Sequence, residues 1–276
     1  MTDSEFQAII RLLDDEDPGI ETHIRNKLVS LGPEAIPRLE TVWEQHEGLI
    51  QTRIEDIIHQ IQTGDAIRSL RSWLQEKEPS LLEGWFLVTQ YHYPGLSFET
   101  FRNDFSRLVN RTWLELRSGM NLAERLAVVN RMLYLKERFI PNRNDIADPQ
   151  NYYINGFMET RKGSPLSLGM LYLILCQELQ LQVQGIVLPG YFTLIHEGEN
   201  EFFVDPFNKG AFFFRNDLTR FLEELKTDDP RYYTPSSNKA IILELVRQLL
   251  NCHRKRKNEE KVRDLERMLE LLASED

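Results

Sequence analysis

An α+β protein, mostly helical with one small antiparallel sheet, is what this 276-residue sequence predicts. Three observations lead there. Most of the chain carries apolar residues at helical spacing, residues 183–214 carry short strand-like runs between turn residues, and one helix stands directly before those runs. A helix followed by adjacent short strands is the pattern of an α+β core with an antiparallel sheet.

The elements follow in order. Residues 1–64 read as short amphipathic helices with an internal echo. Ala8-Ile9-Ile10-Arg11-Leu12 is answered by Ala35-Ile36-Pro37-Arg38-Leu39, and Ile20, Ile24 and Leu28 are answered by Ile50, Ile54 and Ile58. Two helix pairs with a Leu31-Gly32-Pro33 break between them look like HEAT-type repeats. Over 65–145 the helical pattern continues, with Trp73, Trp85, Phe86, Phe98, Phe101, Phe105 and Trp113 at spacings that predict a core stripe and not a binding face. Tyr91-His92-Tyr93-Pro94-Gly95 is a turn between two of these helices. Pro141, Asn142, Asn144, Asp148 and Pro149 crowd the stretch 140–153 and predict a domain boundary there.

A helix opens at Ser164-Pro165, with serine as N-cap and proline at the first helical position. It runs to about Gln180 with Leu168, Leu171, Leu175 and Leu179 on one face. Strands are predicted at 183–188, 191–196 and 201–204, with a Glu197-Gly198-Glu199-Asn200 turn before the third and a fourth strand at 211–214. The α/β core is assigned to 146–226, with a closing helix over 217–225. Residues 236–276 form a TPR-like helical hairpin broken near Lys257-Asn258. The basic run at 253–257 sits where a helix C-terminus favours cations, so it is read as structural.

Acidic residues outnumber basic ones 43 to 33, and the net charge of -10 disfavours nucleic acid or an anionic membrane as a partner. Two widely spaced cysteines, Cys176 and Cys252, suggest a reducing compartment. The start MTDSEFQ lacks the positive charge of an export signal, and no run of about 18 apolar residues occurs. A cytoplasmic setting is expected. The histidines are scattered, and no CxxC, HExxH, phosphate loop or dinucleotide fingerprint occurs, so neither a metal nor a cofactor is expected.

The informative segment is RKGSPLSLGMLYLILCQELQLQVQGIVLPGYF followed by FFVDPFNKG. It resembles the transglutaminase-like SirB family of bacterial regulators. The preceding SLLEGWFLVTQYHYPGLSFETF resembles that family's N-terminal helical region, and the likeness extends over about residues 66–272. The resemblance implies a papain-like transglutaminase core, in which cysteine at a helix start, histidine on the next strand and aspartate on the strand after form a triad. It places Ser167, Tyr191 and Asp205 at those positions. It also matches Asn155, Glu159 and Arg161 to polar positions of the family's motif, as a scaffold under the pocket or as ligand contacts, and Asn208 is a further candidate for binding.

Chemistry turns these replacements into an expectation about function. A thiol at a helix N-terminus is pushed toward thiolate by the dipole and a neighbouring imidazole, whereas a serine there needs a general base. Tyrosine, with an unperturbed pKa of about 10, is a poor base at neutral pH. Cys176 lies on the same helix as Ser167 but about 13 Å along it and on the opposite face, so it cannot substitute. His196 is an odd number of residues from Tyr191 and points to the other side of a regular strand. The expectation is a non-catalytic module that binds a protein or peptide. The alternative is a residual acyl or amide hydrolase with Ser167 as nucleophile.

Overall fold

Local capping signals set the helix starts along the chain. The computed structural model describes every residue except Met1, Glu16, Glu199, Asp228, Glu275 and Asp276, and of Asp3 the backbone alone. The chain divides into two units, Met1–Ser72 and Trp73–Asp276.

In the first unit, Thr2 and Glu5 form a reciprocal capping box that opens α1 (Asp3–Arg11), and the Asp17 carboxylate caps α2 (Pro18–Ser30). α3 (Ile36–Trp43) and α4 (Leu49–Leu74) follow the Leu31-Gly32-Pro33 break, where Gly32 takes φ +71°. Phe6, Ile10, Leu13, Ile24, Leu28, Leu39, Val42, Ile54 and Ile57 share one core. Most of the echoing apolar positions therefore face inward, but Leu12 is 42% exposed and Ile20 39%. Ile20 occupies the first turn of α2, beyond the reach of the buried stripe through Ile24 and Leu28. The boundary expected at 64/65 falls inside α4, an unbroken helix.

The second unit opens with α5 (Leu81–His92) and α6 (Phe98–Trp113), capped by Ser80 and Ser97. α7 (Leu122–Asn130) runs on into a π-helical turn, Arg131–Lys136. Trp73, Trp85, Phe86 and Phe105 are core residues as the stripe predicts, and Phe98 and Phe101 pack on the Phe86 ring. Trp113 is not, with 63% of its surface exposed. The buried face of α6 runs through Phe105, Leu108 and Thr112, and one further residue rotates Trp113 about 100° off it.

The stretch 140–153 crosses the second unit without dividing it; the expected boundaries at 145/146 and near 236 both lie within that unit. A two-residue strand β1 (Ile140–Pro141) pairs in parallel with β2 (Lys162–Gly163), a contact the turn-rich sequence gave no sign of. Between them lies α8 (Ile154–Thr160). α9 (Pro165–Glu178) starts at the Ser164 cap and is buried continuously from Pro165 to Cys176, not along one leucine face only. β3 (Gln184–Leu188), β4 (Tyr191–His196), β5 (Phe202–Asp205) and β6 (Ala211–Phe213) form an antiparallel sheet in sequential order. Pro189-Gly190 closes the first hairpin, with Gly190 at φ +68° as its tight turn demands. The turn expected at Glu197–Asn200 includes Glu199, which lies outside the described residues.

The sheet separates two helices. Gly169 of α9 faces the Phe192 ring, and a Cβ at Gly169 would lie 2.0 Å from that ring. On the other face Ile186, Leu188, Ile195 and Phe203 pack with Leu218 and Leu222 of α10 (Arg215–Glu224). α11 (Asn238–Lys255) and α12 (Glu259–Ala273) form the closing hairpin, and the basic run begins in the last turn of α11 with His253, Arg254 and Lys255 and continues past its end. His253 from that run turns inward, 3.0 Å from the Tyr153 hydroxyl, and His92 stacks on Tyr153. Among the described residues no helix is long and apolar enough to cross a membrane.

Two outcomes test this packing. Gly169→Ala is expected to lose roughly 1–3 kcal/mol in denaturant titration, because Phe192 must leave its rotamer to admit the methyl group. Burial holds the His92 imidazole down to about 4 and also lowers His253, so both enter the fold neutral. Their stabilisation is complete above the ordinary histidine range and is lost as pH falls through it toward the folded value. Thermal unfolding should therefore come at lower temperature at pH 5 than at pH 7, by less in His92→Phe.

Candidate functional site

The site is built where β4 begins and β5 ends. Tyr191 is the first residue of β4 and Asp205 the last of β5, so the hairpin brings both to one end of the sheet. The Tyr191 hydroxyl donates to Asp205 Oδ1 at 2.9 Å, and the Asn208 backbone N–H donates to the same oxygen at 3.1 Å. The Tyr191 ring packs edge-on against Phe207 and tilts against Phe221 of α10. Burial raises the Asp205 carboxyl above the ordinary aspartate range, against the hydrogen bonds and the nearby Arg143 guanidinium that favour its charge. Burial beside that carboxylate pushes the Tyr191 phenol far up as well. Tyr191 is thus a hydrogen-bond donor and not a base.

The loop carrying Asp205 is pinned from a distance. Tyr134, in the π-helical turn, donates to the Pro206 carbonyl at 2.8 Å. Asn130, at the end of α7, donates to the Gly210 carbonyl at 3.1 Å and accepts from the Tyr172 hydroxyl of α9 at 2.9 Å. Gly210 takes φ +74°, and a Cβ there would sit 1.8 Å from Asn130 Oδ1, so both conformation and space require glycine. Tyr134 and Asn130 carry no local motif and were not singled out from the sequence.

Tyr191, Asp205 and Asn208 line a cleft of about 400 Å³ whose apolar walls are Leu188, Phe213 and Phe221. Phe221 belongs to the apolar stripe of α10 with Leu218 and Leu222, a spacing legible in the sequence. A second cavity of about 410 Å³, between Leu173, Gln177, Gly185 and Asn238, holds none of the candidate residues. Of these two cavities, the cleft beside Tyr191 is the one that holds candidate residues.

Ser167 is fully buried in the first turn of α9. Its Oγ accepts from the Ser164 backbone N–H at 2.9 Å and lies 2.9 Å from Ser164 Oγ, while its own N–H donates to Ser164 Oγ at 3.1 Å. Among the described residues no imidazole lies within hydrogen-bond reach of it. The Nδ1 of His196 faces the Gln182 carbonyl at 2.8 Å, and the ring tilts against Phe202. Cys176 is completely buried, which pushes its thiol far up. Asn155 and Glu159 lie on α8 and Arg161 is its left-handed C-cap; none of the three lines the cleft. Arg161 instead pairs with Glu137 at 3.5 Å and lies over the Phe139 ring.

This arrangement of a helix start, two adjacent strands and an aspartate-led turn falls inside residues 99–247, which match the transglutaminase-like superfamily. That match covers more than half of the 276 residues. The chain belongs to the transglutaminase-like superfamily. A UPF0162 protein of Xylella fastidiosa is 27% identical over 131 residues, 47% of this chain and 47% of its own. A UPF0162 protein of Vibrio cholerae is 29% identical over 130 residues, 46% of this chain and 48% of its own. F-box only protein 21 of Mus musculus is 25% identical over 162 residues, covering 50% of this chain and 26% of the relative. The chain thus spans about half the length, or less, of these curated relatives. No solved structure matches it.

One expected outcome separates the electrostatics of the cleft from its architecture. A carboxyl raised by folding binds its proton more tightly in the native state, so its charge at neutral pH works against stability. Asp205→Asn keeps an oxygen acceptor for Tyr191 and Asn208. The variant should melt no lower than the native protein at pH 7, and its relative advantage should shrink as pH falls through the raised carboxyl's range. A large loss at pH 7 would show that the charge itself holds the turn.

Proposed function

We propose that this chain is a non-catalytic member of the transglutaminase-like superfamily, a regulatory module of the SirB type that binds a protein or peptide in the cleft at Tyr191, Asp205 and Asn208. One observation carries the reading: the donor facing the aspartate is a phenol, with its hydroxyl 2.9 Å from Asp205 Oδ1. A neutral phenol and a carboxylate recognise polar groups, but neither generates a nucleophile. The cleft's apolar walls add the shape for an extended chain with alternating side chains. Two helix pairs ahead of this unit, which we read as HEAT-like, are of a kind that presents a further protein-binding face.

A residual hydrolase working through Ser167 draws no support from this geometry. The hydroxyl is buried, and its hydrogen bonds go to Ser164. Its role in our reading is the reciprocal cap of α9. Ser167→Ala should then lower stability by about 1 kcal/mol, a cap's usual contribution, in chemical denaturation. A fluorophosphonate probe should label the native protein and the variant equally little. For the binding reading, a partner identified by crosslinking through a photoreactive residue at position 213 should be weakened about tenfold or more by Tyr191→Ala. Serine-dependent turnover of an amide or ester would refute the proposal, and a partner indifferent to Tyr191 would move it away from the cleft.

A further inference from the structure

The most exposed large apolar side chains among the described residues are Leu114 (73%), Leu135 (72%) and Trp113 (63%). They lie on two segments that ion pairs tie together. Glu115, next to Leu114, forms ion pairs with Lys136, next to Leu135, and with Arg131 at 2.7 Å. A second carboxylate, Glu137, pairs with Arg111 at 2.7 Å and Arg161 at 3.5 Å. Two carboxylates thus hold four cations, and this network keeps a surplus of two positive charges. The surplus is local: the whole chain carries -10.

The cations are also reachable. The side chains of Arg111, Arg131 and Lys136 are each half exposed or more, whereas Glu115 and Glu137 are 19% and 10% exposed. Outward-facing cations over shielded carboxylates present positive charge, with a tryptophan and two leucines between them. Exposed tryptophan and arginine are the side chains that most often anchor protein interfaces. These three apolar residues stand outside the buried core, and none lines the Tyr191 cleft.

We propose that Trp113, Leu114 and Leu135, rimmed by Arg111, Arg131 and Lys136, form a docking surface for an acidic protein segment that carries apolar side chains. Its apolar residues cover the tryptophan and leucines while its carboxylates join the guanidinium groups, which bind planar carboxylates in pairs. An anionic bilayer shares the chemistry, but the chain's remaining negative charge opposes approach to such a surface. The inference is independent of the cleft.

The test uses the full chain and a fluorescein-labelled synthetic peptide alternating glutamate with leucine and phenylalanine. A matched peptide with glutamine for glutamate, and vesicles containing phosphatidylserine, complete the set. Fluorescence anisotropy should show binding of the acidic peptide, weakened about tenfold by Trp113→Ser and by raised salt, and also weakened by Arg131→Gln. Circular dichroism of each variant checks that it folds, and Leu135→Ser provides a second apolar substitution away from Trp113. No binding of the acidic peptide, equal binding of the glutamine peptide, or affinity unchanged in all three variants would overturn the proposal. Patch-dependent binding to the vesicles without binding to the peptide would overturn it in favour of a membrane.

Discussion

A helix with no polar side must be covered on every side, and α9 imposes that condition on the second unit. From Pro165 to Cys176 each residue is buried, including the hydroxyl-bearing Ser167 and Tyr172. Enclosure removes apolar surface from water at about 25 cal/mol per Å², so the covering elements are held to α9 by the largest favourable contribution available. The sheet closes one flank through Phe192 against Gly169, while α5, α7 and the turn after β5 close others. The polar atoms trapped inside are then obliged to find partners. Ser167 finds Ser164, and Tyr172 finds Asn130.

That obligation links the buried helix to the cleft. Asn130 receives the Tyr172 hydroxyl on one side and holds the Gly210 carbonyl on the other, so the loop from Asp205 to Gly210 is positioned by hydrogen bonds reaching back to α9. Tyr134 adds a second tie at Pro206. The Tyr191–Asp205 pair therefore rests on fixed supports and not on a free loop. Rigid placement suits recognition, because little conformational freedom remains to be lost when a ligand arrives.

Much of this order was legible in the sequence where local chemistry decides it. Ser164-Pro165 announced the start of α9, and the strand-like run from Tyr191 to His196 announced β4, whose bounds match. The break near Lys257-Asn258 likewise separates α11 from α12. Trp113 misled because the buried face of α6 runs through Phe105, Leu108 and Thr112, and the next residue lies about 100° round the helix from it. The pairing of β1 with β2 was invisible, since two residues of strand leave no periodicity to read. In the structure Tyr191, Asp205 and Asn208 line one cleft, while Asn155, Glu159 and Arg161 lie elsewhere. The part Asn130 and Tyr134 play in holding the loop was out of reach because there they meet backbone carbonyls more than seventy residues away, which leave no trace in side-chain pattern.

The burial of Cys176 has a practical corollary. A thiol sealed within the central helix, with its proton held tightly, reacts with an alkylating reagent only when the surrounding structure opens. The native chain thus carries its own chemical clock: the rate at which that sulfur is modified records how often the middle of the molecule comes apart.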